Sequence, residues 1–176
     1  MRKIIRTITV VIVLLFVYMF IIRTAESNSG KKAPGFTAEL ITGEAFSLEE
    51  LRGRYVLLDF WGSWCAPCRK ESPELVKLYN RFKDKTFSDA EGIEVVSVAL
   101  EKSGDYWRKE AETQGFNWPY QIVQHFRVVL MSPLAQKYSV RNIPAKFLID
   151  PEGRILSVNA SFDELNAFLA SKQKNI

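Results

Sequence analysis

Both cysteines of this 176-residue chain, Cys65 and Cys68, stand in one short stretch, Trp-Cys-Ala-Pro-Cys. A Cys-x-x-Cys pair can exchange a disulfide for a dithiol, supply half of a zinc site, or form a structural bridge. Structural zinc needs four ligands, and the chain offers no further cysteine and one histidine, His125. A bridge across so short a loop restricts the unfolded chain very little. A redox pair is therefore the favoured interpretation, and we expect no metal and no cofactor.

The surrounding pattern places the pair at the start of a helix. The apolar run Tyr55–Trp61 predicts a buried strand, and residues after Cys65 show the three-to-four spacing of a helix. The first turn of a helix has unpaired N–H groups and a positive dipole end, which stabilise a thiolate. Pro67 suits this turn because its missing N–H is not needed there. We expect Cys65 to be the exposed attacking sulfur and Cys68 the shielded resolving sulfur.

Side chains close to the pair in sequence suggest further functions. Asp59 alternates onto the face of Trp61, so we expect a buried carboxyl group with a raised pKa. It could then take the proton of Cys68 when a mixed disulfide resolves. The alternative is an exposed aspartate at a strand end. Trp64 and Pro67 are expected to form the apolar surface that meets substrates.

The elements that position these residues alternate along the chain. Strands are predicted over residues 55–61, 93–100, 146–150 and 154–158, and helices after Cys65 and over residues 105–114 and 162–172. Residues 116–123 are predicted to be irregular or a short strand. The resulting order, β-α-β-α-β-β-α, predicts an α/β fold with a mixed central sheet and helices on both faces.

The N-terminal residues predict a membrane anchor. Residues 8–22 are uncharged and strongly apolar, three basic residues precede them, and about 20 residues cross a bilayer as a helix. We expect a transmembrane anchor over residues 1–23, a linker over 24–33 and a folded domain over 34–174. A cleaved signal peptide is the alternative, although its small-residue cleavage site is poorly matched. The basic start predicts an N-terminus inside and a domain outside the cytoplasm, in the periplasm of a Gram-negative cell.

The charge of the folded part argues against one class of partner. The whole chain has a formal net charge of +4. Its first 32 residues contain six Lys/Arg and one acidic residue, so the remainder carries 18 basic and 19 acidic residues. Because nucleic-acid binding depends on excess positive charge, we expect no nucleic-acid partner.

Two blocks of sequence resemble the thioredoxin superfamily, and more narrowly the membrane-anchored, extracytoplasmic oxidoreductases of the TlpA/ResA type. They are APGFTAELITGEAFSLEELRGRYVLLDFWGSWCAPCRKESPEL and VRNIPAKFLIDPEGRI. The resemblance runs from Pro34 to the C-terminus and implies a thioredoxin fold. It also implies protein substrates with disulfides and a transmembrane thiol carrier as electron donor. Apocytochrome c, kept reduced during cytochrome c maturation, is one target class that it implies.

The resemblance also suggests functions for individual residues. Ile143-Pro144 matches the family's cis-proline, whose loop pairs with a substrate segment; an ordinary trans proline is the alternative. Glu71 matches a glutamate near the active site that tunes thiol pKa values or relays protons. It could equally be a favourable acidic residue early in a helix. Thioredoxin resembles this chain in having an aspartate at Asp59, where many TlpA-type proteins have Asn. Relatives often carry Thr at Lys146, to which the sequence assigns no function.

The direction of exchange and two rival functions stay open. The Ala-Pro gap between the cysteines lacks the histidine of strongly oxidising relatives, which favours a reductant. A peroxiredoxin-like peroxidase is a rival, but no threonine stands three residues before Cys65. A copper chaperone is the other rival, because soft sulfur with His or Met suits copper. Only His125 and Met131 offer such ligands in the domain, besides the two cysteines.

Overall fold

The computed structural model describes residue 6, residues 9–18 and residues 30–174. Strands are β1 (Thr37–Glu39), β2 (Ala45–Ser47), β3 (Tyr55–Trp61), β4 (Ile93–Glu101), β5 (Tyr120–His125), β6 (Ala145–Ile149) and β7 (Ile155–Val158). Helices are α1 (Ala66–Phe82), α2 (Tyr106–Gln114), α3 (Pro133–Lys137) and α4 (Phe162–Lys172), with 3-10 turns at Leu48–Leu51 and Val129–Met131. Elements with strong periodicity, above all β3 and α4, have the predicted bounds.

The central sheet has five strands in the order β5-β4-β3-β6-β7. Strand β3 is parallel to β4, and β4 is parallel to β5, each pair being joined through a helix. Strand β6 lies antiparallel to β3 on its other side and forms a hairpin with β7. The sheet is therefore mixed, as predicted, and β3, which leads directly to the cysteines, is its middle strand.

Strand β5 corrects the predicted element order. Residues 120–125 form an edge strand that pairs only with β4 among the described strands, although residues 116–123 are predicted to be irregular or a short strand. Pro119 precedes the strand, and Gln121 and Gln124 interrupt its apolar pattern. An edge strand packs against fewer neighbours, so its sequence need not be continuously apolar. Strand β2, which pairs with β1, is also absent from the prediction.

Two apolar layers cover the sheet. Helices α1, α2 and α4 pack on one face, where Leu75, Trp107 and Leu165 join the buried cluster that includes both cysteines. The β1–β2 hairpin, α3 and the 3-10 turns cover the other face, around residues such as Phe60 and Phe147. Helices therefore lie on both faces, as predicted, with the longer ones on the face of the cysteines.

Most of the predicted anchor and linker, over residues 1–23 and 24–33, lies outside the described residues. Residues 9–18 are helical, and apolar side chains such as Leu14 and Phe16 are exposed there. Within the described part of the chain, no helix combines the length and apolar character needed to cross a membrane.

Candidate active site

Cys65 and Cys68 form a disulfide at the N-terminus of α1, with their Cα atoms 5.3 Å apart. Cys65 is the N-cap residue of the helix, and Pro67 lies in its first turn. The Cys68 backbone N–H points at the Cys65 sulfur, at 3.2 Å. An unpaired helix-terminal N–H of this kind stabilises negative charge on sulfur, so the arrangement suits a Cys65 thiolate when the pair is reduced.

Both cysteines are buried in the disulfide form. Cys65 is 4% exposed and Cys68 is 3% exposed, so the expectation of an exposed Cys65 is wrong for this state. The physical reason is the loop before β6: the Cys65 sulfur lies 3.8 Å from the carbonyl oxygen of Ile143. The sulfur of Cys65, the predicted attacking residue, therefore lies next to a backbone carbonyl oxygen of this loop.

The loop beside the cysteines contains the Ile143-Pro144 bond, which is cis, as the resemblance implies. Ile143 packs against the buried cluster that includes Cys65 and Cys68. Its carbonyl group faces the disulfide. Sequence and structure thus bring the two motifs together, although 78 residues separate Cys65 from Ile143.

Asp59 lies in the middle of β3 and is 5% exposed, on the face that the alternation predicts. Burial raises the pKa of Asp59 from 3.8 to about 7; Lys146 lowers this pKa and Glu71 raises it. Desolvation is the largest cause, because burial disfavours the charged carboxylate. A carboxyl group with a pKa near neutrality can both accept and return a proton at physiological pH.

Glu71 lies one turn beyond Cys68 on α1, and its partner is Lys146. The Lys146 ammonium group forms an ion pair with the Glu71 carboxylate. The Lys146 side chain is almost fully buried, whereas the Glu71 side chain is 43% exposed. Glu71 therefore lies at the boundary between the buried polar groups and solvent.

A small cavity of about 10 Å³ connects these groups behind Cys68. Its walls include Asp59, Cys68, Glu71, Pro144 and Phe162. This volume corresponds to the space of a single water molecule, and its polar lining could hold one. The predicted residues Asp59, Glu71, Cys68 and Pro144 thus share one enclosed space.

Glu101 is a site residue that the sequence-based prediction missed. Its carboxylate accepts hydrogen bonds from the Ser63 backbone N–H at 2.6 Å and the Ser63 hydroxyl group at 3.0 Å. Glu101 is buried at the end of β4, beside the segment that leads to Cys65. A signal was available, because an acidic residue directly follows the apolar run of a strand parallel to the cysteine strand.

Trp64 forms an exposed platform next to Cys65. It is 51% exposed, yet its indole N–H donates a hydrogen bond to the Leu100 carbonyl oxygen at 2.8 Å. It also forms one wall of an open groove of about 830 Å³, together with Tyr106, Lys109 and Val129. The groove is large enough for several side chains of a bound polypeptide.

The two residues considered as copper ligands, besides the cysteines, are both exposed. His125 is exposed at the end of β5, and Met131 is exposed at the end of a 3-10 turn. Among the residues that the structure describes, no group of three or more His, Cys, Asp or Glu residues is arranged to hold a metal ion.

Comparisons with known proteins agree with this geometry. The chain is 34% identical over 131 residues to the thiol-disulfide oxidoreductase ResA of Bacillus subtilis strain 168, covering 74% of this chain and 66% of ResA, just under two thirds of that relative. The thioredoxin domain of a thiol-disulfide oxidoreductase from Bacteroides vulgatus is 32% identical, with a TM-score of 0.67. The alignment covers 81% of this chain and 96% of that domain.

A second solved structure and a family model support the same relationship. A thiol-disulfide oxidoreductase from Bacteroides fragilis is 27% identical, with a TM-score of 0.69, covering 80% of this chain and 98% of that one. The model of the AhpC/TSA family matches residues 29–158, which include both cysteines and the cis-proline. The chain belongs to the AhpC/TSA family, and its relatives are thiol-disulfide oxidoreductases with a thioredoxin-like fold.

Proposed function

We propose that this protein is a thiol-disulfide oxidoreductase that reduces disulfides in polypeptide substrates. One observation carries the proposal. The Cys65–Cys68 disulfide lies at the N-terminus of α1, and the Cys65 sulfur is next to the Ile143 carbonyl oxygen. Cys68 lines a cavity together with the carboxyl-bearing residues Asp59 and Glu71. A structural bridge of three-residue separation would not require that arrangement.

The reaction begins from the reduced pair. The Cys65 thiolate attacks one sulfur of the substrate disulfide, forming a mixed disulfide and releasing the other substrate sulfur as a thiolate. Cys68 then loses its proton to the Asp59 carboxylate and attacks the Cys65 sulfur. The bond between Cys65 and the substrate breaks, and the substrate leaves as a dithiol after protonation. The enzyme pair is oxidised by two electrons, and a thiol-containing donor must reduce it again.

The substrate segment is proposed to bind between two surfaces. The Ile143 carbonyl, next to the cis-proline, would accept a backbone hydrogen bond from an extended segment. Trp64 and the groove beside it would contact the neighbouring side chains. Trp64 and Ile143 would make these contacts, and the other two predicted substrate-binding residues, Pro67 and Pro144, lie close to them in the chain.

We further propose that the domain is held at the outer surface of the cytoplasmic membrane by residues 1–23, with residues 24–33 as a linker. The apolar run and the basic residues before it support an uncleaved anchor with the N-terminus inside. The domain would then receive electrons from a transmembrane thiol carrier, which the TlpA/ResA resemblance implies. Fractionation of cells expressing the full chain, followed by protease treatment from the outer side, tests this topology.

The direction of exchange is tested by the reduction potential of the cysteine pair, measured in detergent against glutathione and dithiothreitol buffers. A value near about −270 mV, as in thioredoxin, supports a reductant. A value near about −120 mV would make the protein a disulfide donor instead. A pair that equilibrates with neither buffer would contradict the redox function, and consumption of hydrogen peroxide would favour the peroxidase alternative.

A further inference from the structure

Lys146 is the residue in this site that the proposed reaction does not use. It lies in β6 and is 7% exposed. A buried lysine is rare unless its charge is paired, because desolvation of the ammonium group is costly. Its partner Glu71 lines the cavity behind Cys68, so Lys146 lies within reach of the active site.

The backbone of β6 directs Lys146 toward Asp59. The two residues are directly opposite each other in the antiparallel β3–β6 pair, so their side chains leave the same face of the sheet. Asn159 fixes this part of β6: it accepts a hydrogen bond from the Lys146 N–H and donates one to the Lys146 carbonyl. The register thus places a cation across from the buried carboxyl group.

The ammonium group of Lys146 is paired with Glu71 and covered by an aromatic ring. It forms an ion pair with the Glu71 carboxylate, and it lies 5.1 Å from the centre of the Phe162 ring. Phe162 also lines the cavity that contains Asp59, Cys68 and Glu71. The cation is therefore bound to Glu71 of α1, and its residue lies opposite Asp59 of β3.

The charged groups that face Asp59 can be named from each neighbouring element. Lys146 faces it from β6 and Glu71 from α1, while α4 contributes the uncharged Phe162. On the β4 side, the residue paired with Asp59 is Ser97, whose hydroxyl oxygen accepts a hydrogen bond from the Trp118 indole. Among the described residues, Lys146 is thus the cation that acts on Asp59.

We propose that Lys146 is a positioning residue that assigns the Cys68 proton to Asp59 rather than to Glu71. The inference rests on the proposed function and deepens it. Two carboxyl groups around one small cavity compete for a single proton when no cation separates them. An ammonium group bound to Glu71 keeps that residue as its counterion. Asp59, which lies opposite Lys146 in the β3–β6 pair, is then left to exchange the proton of the resolving thiol.

The sign of the expected effect follows from these contacts. Lys146 lowers the pKa of Asp59, so Lys146→Met should raise it, and Glu71→Gln should lower it because Glu71 acts in the opposite direction. The double variant should lie between the two single variants. If the Asp59 pKa rises by about one unit in Lys146→Met, the ionised fraction at pH 7 falls from about a half to about a tenth. The resolution step should then slow roughly fivefold at pH 7 and recover at higher pH.

The test measures Asp59 directly, as well as activity. The side-chain carboxyl ¹³C resonance of Asp59 is titrated by NMR in the full-length oxidised protein and its variants. In parallel, the rate of mixed-disulfide resolution is recorded against pH. Lys146→Arg should keep the wild-type midpoint because it retains the charge, and Lys137→Met, which changes an exposed lysine in α3, should change neither readout.

Each outcome separates the inference from the proposed function. An unchanged Asp59 midpoint in folded Lys146→Met would show that Lys146 only fills space. Equal midpoints in Glu71→Gln and wild type would show that Glu71 does not act on Asp59, which would overturn the division of roles between the two carboxyl groups. If Lys146→Met does not fold, the other two variants still test the inference. It requires a lowered Asp59 midpoint in Glu71→Gln and a wild-type Asp59 midpoint in Lys146→Arg. If the wild-type pair exchanges with no thiol while Asp59 still titrates as expected, the proposed function fails and the electrostatic assignment stands.

Discussion

Glu101 accepts both the backbone N–H and the hydroxyl group of Ser63, at 2.6 and 3.0 Å, and is itself buried at the end of β4. The same segment is held a second time, because Arg69 of α1 donates a hydrogen bond to the Ser63 carbonyl at 2.6 Å. These contacts connect β4 and α1 to the residues directly before Cys65. They define where the attacking sulfur lies relative to the end of the sheet.

Removal of the Glu101 carboxylate should therefore loosen the segment before Cys65. Glu101→Ala leaves the partly buried Ser63 N–H without its acceptor, and loss of a hydrogen bond to a charged group costs about 1–3 kcal/mol. We expect a lower free energy of unfolding by about this amount and a slower attack of Cys65 on disulfides. Urea denaturation and stopped-flow thiol exchange measure the two effects. Glu101→Gln, which retains one acceptor oxygen, serves as the matched control and should lose less in both; equal losses in the two variants would contradict the hydrogen-bond explanation.

Substitution of Gly62 should displace the Trp64 platform. A Cβ atom at Gly62 would lie 2.7 Å from the Trp64 indole nitrogen and 3.1 Å from the Leu100 carbonyl oxygen. Because the indole donates a hydrogen bond to this same carbonyl, Gly62→Ala must move the ring or the strand end. We expect a higher KM for polypeptide disulfides, with little change for a small disulfide such as hydroxyethyl disulfide.

The comparison variant for Gly62 is Trp64→Phe, which keeps an aromatic ring but loses the indole N–H. It should show part of the same KM effect without steric strain. A Gly62→Ala protein with wild-type KM for both kinds of substrate would show that the position of the Trp64 ring does not matter for binding.

Asp59 should make the oxidised protein less stable as the pH rises from about 4 to about 7. The unfolded carboxyl group titrates near 3.8 and the folded one near 7, so the folded state binds more protons between these values. Stability therefore falls as the pH rises from about 4 to about 7. One pKa unit corresponds to about 1.4 kcal/mol, so this displacement is worth on the order of 4 kcal/mol above pH 7.

Asp59→Asn should remove this pH dependence. Its free energy of unfolding, relative to that of the wild type, should increase between pH 4 and pH 8 in urea denaturation of the disulfide form. The comparison uses the change with pH, because the amide also alters packing equally at all pH values. Parallel pH profiles for the two proteins would show that Asp59 is ionised in the folded state well below pH 7.

Replacement of Cys65 and replacement of Cys68 should block the reaction at different steps. Cys68→Ser removes the resolving thiol, so the mixed disulfide between Cys65 and the substrate should accumulate. Cys65→Ser should form no stable adduct, because Cys68 faces the internal cavity that Asp59 and Glu71 also line. Mass spectrometry of the intact protein after incubation with a disulfide peptide distinguishes the species. A stable adduct in Cys65→Ser, with none in Cys68→Ser, would reverse the assignment of attack.

Local sequence patterns determined the position of several strands and helices in this protein. The continuous apolar run of β3 and the helical spacing after Cys65 are short-range signals, and the corresponding elements have the expected places. The period of two along a strand also put Asp59 on the face of Leu57 and Trp61. These features depend on neighbours a few residues apart, so the sequence alone contains them.

Tertiary structure decided what lies around those elements. Three contacts of the site join residues that are far apart in the chain. They are the ion pair of Lys146 with Glu71, the hydrogen bonds of Glu101 with Ser63, and the packing of Ile143 against the buried Cys65. Strand register and loop packing create such contacts, and a shift of one residue along β6 would turn Lys146 to the other face of the sheet. Residue types and spacing therefore identified the redox pair, while the register of β6 against β3 determined which charges surround it.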